Sequence, residues 1–157
     1  MHRDAPSQPG PMHLSYRGVV TAWDCDHMGH LNIAGYVRRF DEAHWSFFAA
    51  LGLAPGWMRE QRRGMVAVEQ RIHYLRELKA GEVVAIYSQV RQVKAKVLLS
   101  RHELRNEETG EVCAVEEIAC AHLDTDSRRA VAFGEPLAAG MAAAGFGPFP
   151  APEAEGK

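Results

Sequence analysis

The segment Trp23-Asp24-Cys25-Asp26-His27-Met28-Gly29-His30-Leu31-Asn32 joins a short strand pattern to the longest amphipathic helix pattern in the chain. It contains two carboxylates, two imidazoles, a thiol and an amide within ten residues. The start of a helix has unpaired backbone N–H groups and the positive end of the helix dipole, so it can stabilise an oxygen that gathers negative charge. We therefore expect this segment to be the centre of the fold and of its chemistry.

One long helix is predicted directly after this segment. Apolar residues recur at three- and four-residue steps from Ile33 to Leu51, which indicates about five turns with one apolar face. Asn32 stands where an N-cap accepts a backbone N–H, and Gly52 stands where a left-handed residue ends a helix. The charged residues of the helix are expected on its flanks: Arg38, Arg39, Asp41 and Glu42.

Alternating apolar and polar residues predict five strands. The first begins at His13 and places Leu14, Tyr16 and Gly18 on its buried face. A short second helix follows the long one, and then come four strand patterns, at 65–78, 82–93, 97–106 and 112–124. One strand, one long helix and four further strands can pack together if the helix lies on the concave face of a curved antiparallel sheet. We expect an α+β fold with a central helix and a sheet of five to six strands.

Length and composition favour one small-molecule-binding domain. The 157 residues suit a single domain at 13–140, with a flexible leader at 1–12 and an Ala/Gly/Pro-rich tail at 141–157. No apolar run approaches the roughly 18 to 20 residues that cross a bilayer, and the three cysteines follow no disulfide pattern. We expect a cytoplasmic protein without a membrane partner. A net charge of -2 argues against nucleic acid as a partner.

The segment from Asp24 to Asn32, with Tyr36, Phe40 and Glu42 behind it, resembles the motif of the hotdog-fold acyl-CoA thioesterases of the 4-hydroxybenzoyl-CoA thioesterase type. The resemblance covers about residues 13–135. It implies a hotdog fold, hydrolysis of an acyl-CoA without any cofactor, and an active site at the interface of a homodimer or a dimer of dimers. Within this family, residues 27–30, 64–70 and 74–78 together resemble the betainyl-CoA thioesterases of carnitine degradation.

This resemblance implies roles for residues of the segment. Asp26 is the catalytic base or nucleophile, and Asp24 is structural. His30 is the second catalytic candidate, and whether it acts on the substrate, positions Asp26 or only packs stays open. The oxyanion donors are expected among the backbone N–H groups at the helix start, at Gly29, Leu31 and Asn32.

Candidates for substrate binding lie outside the segment as well as in it. Aromatic faces or a carboxylate would bind a trimethylammonium acyl group, and the candidates are Trp23, Tyr36, Trp57, Glu69 and Tyr74. The same residues also suit a core, a lid or an outward strand position. Basic residues in predicted turns are candidates for the CoA phosphates, although solvated surface positions explain them equally: Lys94, Lys96, Arg128 and Arg129.

Other functions remain open from the residues. The acidic, Cys and His residues of the segment are potential metal ligands, but they crowd one loop without a second cluster, and we predict no metal site. The hotdog fold also carries hydratases and dehydratases, for which His30 and Glu69 could form the proton-transfer pair. A non-catalytic acyl-CoA-binding module is the third alternative. The acyl group, and the choice between CoA and a carrier protein, are not determined by the sequence.

Overall fold

The structure is a computed structural model that describes residues 11–146. Residues 1–10 of the predicted leader and 147–157 of the predicted tail lie outside the described part. The elements follow in the order β1 (His13–Val19), α1 (Ile33–Ala50), α2 (Pro55–Gln61), β2 (Arg63–Tyr74), β3 (Val83–Val93), β4 (Val97–Asn106), β5 (Val112–Asp124) and α3 (Glu135–Ala143). Among residues 11–146, no helix has the length and apolar content that crossing a bilayer requires.

The strands form one antiparallel sheet in the order β1-β3-β4-β5-β2, so β1 and β2 are its edges. With α1 packed against one face, the predicted α+β architecture is confirmed. The bounds predicted for β4 and β5 are also confirmed. Strand β2 ends at Tyr74, earlier than predicted, because the N–H groups of Leu75 and Arg76 both bond to the carbonyl of Cys113 and leave the ladder.

A bulge in β1 changes its predicted buried face. The pairing with β3 shifts between Leu14 and Tyr16. Because the side chains of a strand alternate between its two faces, an extra residue reverses the faces on one side of the bulge. Ser15 is therefore buried and Leu14 is exposed, contrary to the prediction.

Helix α1 has the predicted ends. The side chain of Asn32 accepts the N–H of Ile33 at 2.8 Å, and Gly52 has a φ of 86°. Some details of its faces differ from the prediction. Ile33 at its start is exposed, and Arg39, predicted on a flank, is only 1% exposed.

The core consists of two apolar clusters with a polar layer between them. The first cluster surrounds Tyr36, Phe40 and Ala43 of α1, and the second surrounds Phe47 and Phe48. Along α1, β3, β4 and β5, a buried polar residue stands between the residues of the first cluster and those of the second. These polar residues are His44, Ser88, Ser100, His102 and Glu116.

Helix α3 closes the second cluster. Met141 and Phe146 are buried there, beyond the predicted domain boundary at 140. Gly140 lies against the backbone of Leu51 and Gly52, where a Cβ atom would overlap the Leu51 carbonyl.

We predict that Gly140→Ala destabilises the fold, because the backbone at Leu51 and Gly52 cannot yield as a flexible side chain would. Such overpacking costs about 1 to 3 kcal/mol, which lowers the Tm by roughly 2 to 12 °C. Thermal unfolding measures the change. Gly134→Ala is the matched control, since a Cβ atom there meets only ordinary contacts. Equal Tm values for the two variants would contradict the close approach.

Candidate active site

Asp24 is the structural carboxylate of the loop before α1. Its Oδ2 accepts hydrogen bonds from Thr21 Oγ1 at 2.7 Å, Arg38 at 2.6 Å and Arg39 at 2.9 Å. The bond from Thr21 first, and then the Arg39 guanidinium, lower the pKa of Asp24 against the opposing effect of desolvation. The Asp24 carbonyl also accepts the N–H of Asn32 at 2.9 Å. These contacts tie the loop to α1.

Asp26 has few internal contacts. Its carboxylate accepts a hydrogen bond from the N–H of Met28 at 2.9 Å, and no other group of residues 11–146 bonds to it. Its backbone N–H donates to the carbonyl of His30 at 3.0 Å, and its carbonyl accepts the N–H of Gly29 at 3.0 Å. Gly29 has a φ of 82°, which favours glycine in this turn. The turn thus fixes Asp26 while its carboxylate stays accessible.

Asp26 lies at a cleft of about 330 Å³ between the loop and the end of β2. Tyr36 and Tyr74, two of the predicted substrate-binding residues, form one wall, and their rings meet edge to face with centroids 5.1 Å apart. The Tyr36 hydroxyl donates to the carbonyl of Arg76 at 3.3 Å, and burial raises the pKa of Tyr36 to about 12. Tyr36 is therefore a neutral hydroxyl at physiological pH.

His30 pairs with Glu77 in the same cleft. Its Nε2 lies 2.9 Å from Glu77 Oε2. Glu77 was not predicted from the sequence, because it lies in the segment after β2 and meets His30 only through folding. That segment is tied to the loop by the N–H of Leu31, which donates to the carbonyl of Leu78 at 2.8 Å. Glu77 therefore orients the imidazole of His30 in the cleft that Asp26 also lines.

The predicted oxyanion donors have acceptors within the protein. The N–H groups of Gly29, Leu31 and Asn32 donate to the carbonyls of Asp26, Leu78 and Asp24. None of the three is free to bind a substrate oxygen in this structure, which contradicts the prediction. The physical reason is that an antiparallel bridge of the loop uses the N–H of Asn32, a tight turn uses that of Gly29, and the segment after β2 accepts that of Leu31.

Two other N–H groups of the loop are unpaired. Within the described part of the chain, the backbone N–H groups of His27 and His30 have no hydrogen-bond acceptor. His30 is also one of the residues that line the cleft. Its N–H is therefore the better-placed candidate for an oxyanion contact.

Three predicted substrate-binding residues lie away from this cleft. Trp57 in α2 packs against the second apolar cluster, at the other end of α1. Glu69 is 70% exposed and lies near Arg71, because the two-residue period of β2 points it away from the face that carries Tyr74. Trp23 is 84% exposed and is not among the residues that line the cleft.

The four predicted phosphate-binding residues lie at the opposite end of the sheet. Lys94 and Lys96 are in the turn between β3 and β4, and Arg128 and Arg129 follow β5. The cleft adjoins the other ends of these strands, which are on the order of 30 Å long. The guanidinium group in the cleft wall belongs instead to Arg76, which was not predicted.

Glu116 is the centre of the polar layer between the two apolar clusters. It is fully buried, and one of its oxygens lies 2.5 Å from His44 Nε2. The other accepts a hydrogen bond from Gln70 Nε2 at 2.5 Å. The carboxylate is thus held from α1 on one side and from β2 on the other.

His102 completes the layer. Its Nδ1 and Nε2 bond to Ser88 Oγ at 2.6 Å and Ser100 Oγ at 2.9 Å. Burial, and then the neighbouring His44, lower the pKa of His102 well below its usual value. The potential ligand atoms of His44, His102 and Glu116 lie within 4.8 Å of one another. Because hydrogen bonds already engage them, we assign these side chains to a hydrogen-bond network.

Comparisons with known proteins agree with this architecture. The profile of the thioesterase-like superfamily matches residues 20–141. A protein of Agrobacterium fabrum named L-carnitine dehydrogenase/betainyl-CoA thioesterase is 29% identical over 122 residues, which are 78% of this chain. This chain spans a quarter of the length of that relative.

Solved structures share the fold. The hypothetical protein SAV2348 from Staphylococcus aureus, solved in complex with CoA, has a TM-score of 0.79 at 21% identity, over 95% of this chain and 94% of that one. Slr0204 from Synechocystis, a 1,4-dihydroxy-2-naphthoyl-CoA thioesterase, has a TM-score of 0.72 at 15% identity, over 82% of this chain and 95% of that one. The chain has the hotdog fold and belongs to the thioesterase-like superfamily.

Proposed function

We propose that the chain is an acyl-CoA thioesterase that hydrolyses a CoA thioester to a free acid and CoA. The observation that carries this proposal is the Asp26 carboxylate, which has one hydrogen bond within the described residues and lies at the cleft. Membership of the thioesterase-like superfamily supports it.

Asp26 acts on the thioester carbonyl carbon in one of two ways. As a nucleophile, its oxygen bonds to that carbon, the carbon–sulfur bond breaks, CoA leaves as a thiolate, and water opens the resulting anhydride. As a general base, Asp26 takes a proton from a water molecule that attacks the same carbon. A thiolate is a good leaving group, so neither route needs a strong acid.

The negative charge that develops on the carbonyl oxygen needs a hydrogen-bond donor. We assign this contact to the backbone N–H of His30, which has no acceptor among the described residues. The His30 imidazole, oriented by Glu77, lies in the same cleft. This assignment replaces the donors predicted at Gly29, Leu31 and Asn32.

The partner that we propose besides the acyl-CoA is a second copy of the chain, paired through β2. This edge strand has 12 residues, and Val66 and Val68 are exposed on it. A long exposed edge strand needs a cover, and antiparallel pairing with its own copy is the symmetric solution. Such pairing sets the basic end of one sheet beside the cleft of the other, where Lys94, Lys96, Arg128 and Arg129 would meet the CoA phosphates.

Betainyl-CoA is the first substrate to test. The Agrobacterium relative has this activity in its name. In the cleft, Tyr36 and Tyr74 offer aromatic groups to a trimethylammonium, each worth ~0.5 to 2 kcal/mol, and Asp26 and Glu77 offer negative charge.

Free-thiol release from betainyl, short aliphatic, long aliphatic and aromatic CoA thioesters tests the proposed function. We predict turnover of one class with a kcat/KM of about 10⁴ M⁻¹s⁻¹ or more. Crotonyl-CoA serves as the control for a rival activity. Hydration of crotonyl-CoA without thiol release would favour a hydratase, and binding without turnover of any thioester would favour a binding module.

A further inference from the structure

A pocket of about 210 Å³ lies on the face of the sheet that points away from α1, and it shares no lining residue with the Asp26 cleft. Side chains alternate between the two faces of a strand, and Leu98, Ile118 and Cys120 belong to the core. Their chain neighbours therefore point away from α1: Val97, Leu99, Glu117, Ala119 and Ala121. The buried apolar side chains of α1, α2 and α3 belong to the core clusters, so these three helices leave the pocket open.

The lining of this pocket continues into an apolar patch. Leu99 and Ala119 line the pocket and are opposite each other in the pairing of β4 with β5. Two residues further along these strands, about 7 Å away, a second row contains Val97, Ala121 and Val66 of β2. Val66 is 43% exposed. An exposed apolar patch beside a recess is typical of an interaction surface.

Charged side chains of both signs also line the pocket. They are two acids and two arginines: Glu69, Arg71, Arg91 and Glu117. Their ion pairs are loose, because Arg71 lies 3.8 Å from Glu69, and Glu117 lies 3.7 Å from Arg101. Glu69, Arg71 and Glu117 are all at least half exposed. Exposed pairs of this length contribute little to stability, so their charges are available to a partner.

The arrangement of these charges indicates the kind of partner. The four charges sum to zero, which favours neither an acidic nor a basic macromolecule. An interface between two copies related by a two-fold axis needs both halves of each contact on one surface. Arg71 and Glu117 meet this requirement, since they are opposite each other in the pairing of β2 with β5. Val66 and Ala121 are opposite each other in the same two strands.

We propose that this face of the sheet binds the same face of a second copy of the chain. A two-fold axis parallel to the strands, between β2 and β5, exchanges the two strands. It places Arg71 of each copy over Glu117 of the other, and Val66 of each over Ala121 of the other. Two sheets packed in this aligned way are about 10 Å apart, and the pocket leaves room between them for the long charged side chains.

This interface is independent of the thioesterase chemistry and of the pairing through the edge of β2. Edge pairing uses the backbone of β2 and leaves the face of the sheet open. Both contacts can therefore form at once, and together they give a dimer of dimers.

Val66→Glu tests the apolar part of the interface. A carboxylate in the apolar row loses its water when the faces meet, so we expect the association to weaken about 100-fold and the mass of the assembly to fall by half. Sedimentation velocity at several concentrations measures both. Val19→Glu is the matched control, because Val19 is 49% exposed on β1 at the other edge of the sheet, and it should change the association by less than about threefold. Equal dissociation by the two variants would overturn the placement of the interface.

Charge reversals separate this interface from edge pairing, because Glu117 lies on β5, one strand inside the edge. Arg71→Glu and Glu117→Arg each set like charges face to face, and each is expected to weaken the association about 10-fold or more. Thermal unfolding confirms that each variant is folded.

An equimolar mixture of the two single variants is the decisive sample. Each copy of one variant then meets a copy of the other with opposite charges at both contacts, so the mixture should associate within about threefold of the parent. A rearrangement inside one chain cannot produce this rescue. Single reversals that leave the mass unchanged, or a mixture that associates no better than its components, would overturn the proposal.

Discussion

Asp26→Asn is expected to lower kcat/KM for the preferred CoA thioester by roughly 10²- to 10⁴-fold. An asparagine amide can neither attack a carbonyl carbon nor take a proton from water. The asparagine oxygen can still accept the N–H of Met28, so the turn that carries residue 26 should keep its shape. Free-thiol release under steady-state conditions measures the loss.

Asp41→Asn is the matched control for this experiment. Asp41 is an exposed acid on α1, so the same loss of charge there should change kcat/KM by less than about twofold. Thermal unfolding of both variants separates loss of chemistry from loss of fold. An Asp26→Asn variant that releases thiol as fast as the parent would show that Asp26 is not the reactive carboxylate.

Asp24→Ala is expected to destabilise the protein by about 3 to 5 kcal/mol, a loss of roughly 6 to 20 °C in Tm. The change removes the carboxylate partner of Arg39, which is almost fully buried. Arg39 would keep only its bonds to the carbonyls of Gly35 and Val19, at 3.0 and 3.1 Å. An uncompensated charge inside the fold is costly, because water cannot replace the lost carboxylate.

The pH dependence of this effect follows from the lowered pKa of Asp24. A depressed carboxyl pKa stabilises the folded state at pH values above the ordinary value of about 3.9, and this stabilisation is lost as the pH falls through the folded value. The difference in unfolding free energy between parent and Asp24→Ala should therefore be largest near neutral pH and shrink below about pH 4. Denaturant titrations at several pH values measure it.

Glu42→Ala is the control for Asp24→Ala. Glu42 also pairs with Arg38, at 3.3 Å, but both side chains are about half exposed. Such a surface pair contributes about 0.5 kcal/mol or less. Equal destabilisation by the two variants would contradict the structural role of Asp24.

The fold was predictable where local chemistry determines it. Asn32 caps α1 and Gly52 ends it because a side-chain acceptor and a left-handed residue are needed at those points. The two-residue alternation of apolar and polar residues likewise predicted the bounds of β4 and β5. The bulge at Leu14 and the burial of Arg39 were not predictable, since each depends on a partner from another segment.

The candidate site was predictable only in part for the same reason. A linear motif points to Asp26, but Glu77 reaches His30 only after the segment behind β2 docks on the loop. The periodicity of α1 places His44 on its buried face without showing that Glu116 faces it. Alternation alone also did not show which face of β2 carries Glu69 towards the helix or the solvent, because the order of the strands decides which face meets the helix.

A crystal structure of the Asp26→Asn variant with its preferred acyl-CoA tests the central claim most directly. We predict that the thioester carbonyl carbon lies within about 3.5 Å of the side chain at position 26, with the carbonyl oxygen near the N–H of His30. A thioester that binds with its carbonyl beyond reach of position 26 would contradict hydrolysis at this cleft.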